Sequence, residues 1–341
     1  MVFTAVSWIT PGTALPPNTL TPLIGVYGVS FILVFAAILL ATFTKRSSTA
    51  GLLLLGLLAT AVALNEHGEK SKGQAIRVAA IQGDLLGFDR YLEMSLSIEG
   101  PVNAIVWPEY ALDFDLRESP KKLSRLRQMM AEKNADVLVV GSMTKHSDGS
   151  WSNTAIIVGR DQILGSHNKN RPVHFFNDGV AGTDAPAWTT PIGKISTTIC
   201  FDNDYASVPR KAVANGAELL LIPSMDAEHW TARQHLQHAE LFRHRAAENG
   251  RWLVVAASSG LTQAIDPRGN RVDFLPLFDP GGLITGAVTQ SGLTVHTRFG
   301  WLIGPSCTIL TGVLAICSIL RLRREKRKSN SISPNPSDHV A

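Results

Sequence analysis

Charge is almost missing from the start of the chain: between Met1 and Asn65 the only charged side chains are Lys45 and Arg46. A segment so poor in charge is neither a solvated face nor a disordered leader, both of which need polar groups for water to hold. Cysteine is scarce too. Of the three in 341 residues, Cys307 and Cys317 fall in one apolar run near the carboxy terminus, and Cys200 stands alone in the intervening polar part. No disulfide can staple that part, so its core must hold by packing, and the unpaired thiol is either buried or used. Charged residues account for 18% of the sequence against 45% hydrophobic ones, and the mean hydropathy is +0.10, so part of the chain belongs in lipid. The net charge of +4 and pI near 9.0 do not describe a nucleic-acid surface. Six basic residues lie together between Arg321 and Lys328, directly behind an apolar stretch, which is the flank of a membrane span.

Residues 23–43 are uncharged and long enough, at ~1.5 Å rise per residue, to cross a hydrocarbon layer of about 30 Å. After the basic link Lys45-Arg46-Ser47-Ser48, residues 49–64 offer a second, shorter run, for which a buried core helix is the alternative. Residues 299–320 form the third, followed at once by the basic tail of residues 321–341. Keeping both basic clusters in the cytoplasm sends the first helix inward, the second outward and the third inward. Residues 66–298 then lie outside the cytoplasm. Lys70 and Lys72 oppose this weakly, and the denser carboxy-terminal cluster outweighs them. A cleaved signal peptide is the rival reading of the first run, but it lacks a positive n-region and a second apolar run follows it. Residues 329–341, rich in Ser, Pro and Asn, are expected to be disordered.

Between the membrane runs, short apolar segments rich in β-branched residues (76–82, 103–107, 136–141, 153–159, 195–200, 218–223 and 252–257) alternate with helical periodicity at 119–134 and 232–249. That alternation predicts an α/β fold in one layered core. The Asp266-Pro267-Arg268-Gly269-Asn270 segment reads as a turn between strands.

Three residue types in this region can carry chemistry. Trp107-Pro108-Glu109 puts a carboxylate at the carboxyl end of a strand, where α/β proteins build sites, although acids commonly follow strands. Lys169 sits among polar and aromatic residues in Asn168-Lys169-Asn170-Arg171-Pro172-Val173-His174-Phe175, after an apparent hairpin; a solvated loop lysine is the plain alternative. Cys200 ends a strand just before a helix expected near Ala206, and a helix amino terminus favours a thiolate.

Acid, lysine and thiol in that order, 60 and then 31 residues apart, resemble the Glu-Lys-Cys triad of the nitrilase, or carbon-nitrogen hydrolase, superfamily. The branch most resembled is that of the apolipoprotein N-acyltransferases, through WPE at 107–109, NKNR at 168–171, IC at 199–200, Gln237-His238-Ala239 and Arg243-His244-Arg245-Ala246. Gly292-Leu293-Thr294 with Arg298, Gly300 and Trp301 leads into the last membrane run much as in that branch. The resemblance implies a nitrilase-like αββα sandwich with two transmembrane helices before it and one after, in the cell (inner) membrane. It implies an enzyme in which Cys200 attacks an acyl carbonyl as thiolate, Glu109 moves the proton and Lys169 stabilises the oxyanion. A phospholipid donor and a lipoprotein amine acceptor are the leading expectation, and an anchored amidase acting on a small amide is the alternative. A catalytically silent ligand-binding relative is a further one. Neither a cofactor nor a metal is implied, and a monomer is expected.

The pattern also departs from that branch. Its members carry more membrane helices ahead of the domain than the two read here. Their second glutamate, about eight positions after the lysine, is replaced by Asn177, with Asp178 next to it as a substitute on a shorter arm. Phe201-Asp202 stands for Tyr-Glu, and Ser258-Ser259-Gly260 for Asn-Asn-Gly, changes that bear on substrate fit. Asp226 and Trp230 fall in the loop that lines the pocket in the family, with core packing the alternative for Trp230. His229, His235, His238 and His244 could suggest zinc, with His235 and His238 on one helix face, but their spacing forms no recognised ligand set.

Overall fold

The computed structural model describes residues 10–41, 44–64, 73–174 and 176–332. Two apolar helices, α1 (Thr21–Ala41) and α2 (Lys45–Ala63), come first, and Thr44 caps α2 by accepting from the Ser47 amide. At the other end α7 (Val295–Phe299) passes through one 3₁₀ turn into α8 (Ile303–Ile332). Three helical stretches, Thr21–Ala41, Arg46–Ala63 and Val295–Arg327, are long and apolar enough to cross a membrane. The third continues through the basic cluster to Ile332, so residues 329–332 are helical rather than disordered. A run of Arg, Glu and Lys favours helix and has an Arg321–Glu325 pair at i,i+4 to hold it. Expectations for Phe43, for Lys70 and Lys72 at the edge of the globular part, for Phe175 and for residues 333–341 lie outside the described residues.

Between these helices stand two six-stranded sheets. The first contains β1 (Ala75–Gln82), β2 (Ala104–Val106), β3 (Val137–Lys145), β4 (Trp151–Gly159), β5 (Ile163–Asn168) and β12 (Gly281–Val288), in the order β12-β1-β2-β3-β4-β5. The second contains β6 (Trp188–Thr190), β7 (Gly193–Ser196), β8 (Leu219–Ser224), β9 (Leu253–Ala257), β10 (Gln263–Ile265) and β11 (Arg271–Phe274), in the order β11-β10-β9-β8-β7-β6. Each has parallel central strands and antiparallel edges. Alternate residues of the central strands face opposite ways, and both faces are apolar, so each sheet is covered on both sides. Ile76, Val78, Val137, Val139, Ile195 and Leu221 fill the space between the sheets. Helices α3 (Phe88–Ser97) and α4 (Pro120–Glu132) cover the outside of the first sheet through Tyr91, Leu126 and Met130. Helices α5 (Ser207–Ala214) and α6 (Ala232–Asn249) cover the second through Val208, Phe242 and Ala246. The result is the expected αββα sandwich.

The alternation of apolar segments locates seven of the strands and both long helices of the globular part, and α6 ends as expected, with Gly250 in the left-handed region (φ 61°). One difference bears on the site: the strand leading to Cys200 stops at Ser196, and Cys200 opens a 3₁₀ turn, Cys200–Asp204, with φ 41°. Helix α3, β6 and β12 are additional. β12 carries three glycines in eight residues and lacks the β-branched density that marks the other strands.

Gly141 in β3 is where the chain passes beneath the Glu109 turn. A Cβ there would lie 2.3 Å from the Pro108 carbonyl oxygen and 2.6 Å from Glu109 Cα, both backbone atoms that cannot swing aside. Gly141→Ala is therefore expected to destabilise the protein by about 1–3 kcal/mol through overpacking. Thermal unfolding in detergent measures this, and an unchanged transition would contradict the tight crossing.

Candidate active site

Strand β2 runs on into Trp107, whose amide donates to Val139 O (2.8 Å) and whose indole donates to Ser95 Oγ (2.8 Å). This anchoring delivers Glu109 to the carboxyl end of the first sheet. The β4–β5 hairpin delivers Lys169, whose amide donates to Asn153 O at 2.8 Å. Both side chains are 1% exposed. Lys169 Nζ lies 2.8 Å from Glu109 Oε1 and 2.6 Å from Asp178 Oδ2. Asn153 Nδ2 bridges the two carboxylates, donating to Glu109 Oε1 (2.6 Å) and Asp178 Oδ1 (2.8 Å). Asp178 also accepts from the Tyr110 hydroxyl and from the Val173 amide (2.7 Å). Asp178, not Asn177, thus meets the lysine; Asn177 is exposed and its side chain accepts a long bond from the Gly179 amide (3.4 Å).

The second sheet supplies the sulfur. Cys200 is buried and its Sγ donates to Met225 O at 3.3 Å. The turn that holds it is organised by Asp202, which accepts from the amides of Asn170 (2.9 Å), Arg171 (2.8 Å) and Ile199 (3.0 Å) and bonds His167 Nε2 (2.8 Å). Asp202 therefore fastens the lysine loop to the cysteine turn and does not face the reacting groups. Phe201 turns toward Tyr205, edge-on at 5.5 Å, and packs against the inter-sheet core. After β8, Asp226 comes within 4.8 Å of both the sulfur and His238 through their donor atoms. Asp226 accepts from His238 Nδ1 (2.6 Å) and His235 Nδ1 (3.3 Å), so these two imidazoles do share a helix face and converge on a carboxylate. His244 is buried elsewhere, His229 is exposed, and half-buried Trp230 lies 6.0 Å from the His235 ring. Tyr110 and Asn153 escaped the sequence reading; the one signal for Asn153 was a polar residue at the mouth of an otherwise apolar strand.

Burial and the Glu109 charge push the Cys200 thiol well above its usual range, and Lys169 offsets this only in part. The surroundings of the sulfur therefore oppose its ionisation, with Lys169 the one charged neighbour that favours it. Burial likewise raises Glu109, against the pull of Lys169. Burial alone would lower Lys169, but Glu109, Cys200 and Asp178 together hold it above its ordinary value, so it stays an ammonium. Glu109 Oε2 is buried and has no hydrogen-bond partner among the described residues, whereas Oε1 is occupied twice. The cluster offers a thiol, a carboxylate with one open oxygen and raised proton affinity, and a fixed cation.

Residues 77–295 match the carbon-nitrogen hydrolase family. The chain belongs to that family. Among relatives, it is 28% identical over 360 residues to the apolipoprotein N-acyltransferase of Pseudomonas aeruginosa PAO1, covering 92% of this chain and 69% of that one. It is 26% identical over 355 residues to that of Geobacter metallireducens, covering 90% and 68%. Among solved structures, an amidase from Nesterenkonia sp. superposes with a TM-score of 0.53 at 21% identity, covering 65% of this chain and 93% of that one. A carbon-nitrogen hydrolase from Helicobacter pylori G27 superposes with a TM-score of 0.53 at 16% identity, covering 62% and 89%. These two share the fold of the sandwich, whereas the likeness to the acyltransferases extends beyond the carbon-nitrogen hydrolase region.

Burial alone would lower the His238 imidazolium, but Asp226 with Asp204 raises it from 6.5 to about 10, and Asp226 is held from 3.8 down to about 2 by both histidines despite burial. The His238 contribution to stability is complete below pH 6.5 and is lost as pH rises through about 10; that of Asp226 is complete above pH 3.8 and is lost as pH falls through about 2. Asp226→Asn should lower the melting temperature most between these limits and flatten its decline on the alkaline side. Parallel wild-type and variant curves of melting temperature against pH would contradict the pairing.

Proposed function

We propose that this protein is a membrane-bound acyltransferase of the inner membrane that works through a thioester on Cys200. The observation that carries this is the buried Glu109–Lys169 pair (2.8 Å) whose charges both act on the buried Cys200 thiol, beside a membrane helix: Tyr27 in α1 donates its hydroxyl to Asp204 O at the end of the cysteine turn (3.3 Å). The breadth of the likeness to apolipoprotein N-acyltransferases, which takes in sequence outside the sandwich, supports lipid as the donor.

Glu109 Oε2 takes the thiol proton as the sulfur attacks the ester carbonyl of a phospholipid. The ammonium of Lys169 has three donors; two are engaged by Glu109 and Asp178, and the third is available to the oxyanion. As the tetrahedral intermediate collapses, Glu109 returns the proton to the departing lysophospholipid oxygen, leaving the acyl group on sulfur. An acceptor amine, such as a lipoprotein amino terminus, then loses a proton to Glu109 and displaces the sulfur to form an amide, and Glu109 passes that proton to the departing sulfur to restore the thiol. Asp178 holds the lysine in place while Glu109 exchanges protons. In this reading residues 66–298 form the catalytic domain outside the cytoplasm, both basic clusters face the cytoplasm, and the chain acts as a monomer.

Detergent-solubilised protein incubated with labelled phospholipid is expected to carry a long acyl chain on the Cys200 peptide in the mass spectrum. Cys200→Ala abolishes it while leaving the protein folded. Lys169→Ala slows acylation by about 10²–10³-fold, the cost of a lost oxyanion donor, and Glu109→Gln suppresses it. Acylation persisting in both of the last two variants would rule out the mechanism. Turnover of small amides with no lipid-derived thioester would make the protein an anchored amidase instead.

A further inference from the structure

The cysteine turn is held from two directions. Asp202 secures its front from within the sandwich, as described above. Its far end is gripped by Arg245 of α6, which is fully buried and donates Nε to Asn203 O (2.7 Å) and Nη2 to Asp204 O (3.2 Å). Arg245 is paired with the buried carboxylate of Glu248, one turn along the same helix. Glu248 is in turn the partner of a membrane helix. Gly25 (φ 66°, ψ 175°) interrupts α1, and the Val26 amide, freed by that break, donates to Glu248 Oε1 at 2.9 Å. The approach needs glycine: a Cβ on Gly25 would stand 2.7 Å from the His296 ring and 3.0 Å from Glu248 Oε1. Tyr27, two residues on, bonds Asp204 O and lies beneath the Arg245 guanidinium at 5.7 Å from its ring centre. The other membrane segment closes the junction where Thr294 donates to Glu248 O (2.6 Å).

We propose that Arg245 and Glu248 are a positioning pair through which the docked first membrane helix sets the reactivity of Cys200. The inference deepens the acyl-transfer reading and rests on Cys200 being its nucleophile. Cys200 has φ 41°, a left-handed conformation that a side chain with a Cβ keeps only when the surroundings impose it. The restraint at the far end of its turn is a cation whose two carbonyl contacts depend on the orientation of its guanidinium. That orientation is set by Glu248, and Glu248 is oriented by the amide of a helix that belongs to the membrane. Loss of the helix contact lets the carboxylate and guanidinium turn together, which loosens the two carbonyls and moves the sulfur relative to Glu109 and Lys169.

Val26→Pro breaks the link, at the cost of part of a buried side chain. It deletes the donated hydrogen, and the position opens a helical segment, where proline is tolerated, behind a residue with extended ψ. The full chain is compared with wild type in detergent, in a background with Cys307 and Cys317 replaced by serine, by two readouts. One is the single-turnover rate of Cys200 acylation by phospholipid; the other is the pH profile of Cys200 alkylation by iodoacetamide. A positioning role predicts about tenfold slower acylation at saturating lipid, with half-saturation unchanged, and a displaced alkylation profile. A purely structural role predicts a lower melting temperature with both readouts as in wild type, and that result overturns the proposal. Tyr27→Phe removes one hydroxyl from the same junction and decides the matter if Val26→Pro does not accumulate: about threefold slower acylation with a displaced profile supports the proposal, and coincident profiles refute it. Absence of acylation in wild type would count against the acyl-transfer reading itself, while the alkylation profiles would still report on the coupling.

Discussion

A single ammonium group organises the centre of this protein. Lys169 is inside the sandwich with almost no contact with solvent, where an unpaired charge would cost several kcal/mol or more. It can be there because two carboxylates meet it and one asparagine ties those carboxylates together. The arrangement constrains everything near it. Glu109 has to come off the end of β2, Asp178 has to return from the loop after β5, and Asn153 has to point inward from β4. With the lysine shared between two acids, one can stay ionised against it while the other is open to exchange a proton.

The second constraint is burial of the sulfur. A thiol in this setting is less acidic than in water, in spite of the neighbouring cation, because desolvation and the Glu109 charge outweigh the attraction of Lys169. In the proposed reaction, removal of the thiol proton is accordingly coupled to attack on the substrate.

The αββα architecture was legible because alternating apolar segments and helical periodicity are properties of chain order, and the central strands show them in full. Short or glycine-rich edge strands such as β6 and β12 show neither, and they form because a neighbouring strand supplies their hydrogen bonds. The triad was readable through the resemblance of its residue types and spacing to a known family, and so was the substitution of Asp178 for that family's second glutamate one position away. What spacing does not carry is depth. The ionisation of Cys200, the bridging role of Asn153 and the contact of Tyr110 with Asp178 all follow from which atoms are stripped of water, and that is decided by the packing of two sheets far apart in the chain. Asp202 shows the reverse: beside the cysteine in sequence, it proves to be the fastener between two loops.

Glu109 and Lys169 hang from one sheet and Cys200 and Asp226 from the other, so no single half of the sandwich contains a working set. During synthesis the first half emerges with the carboxylates and the lysine but no sulfur. The chemistry switches on only when the last strands have docked and the two layers have closed face to face.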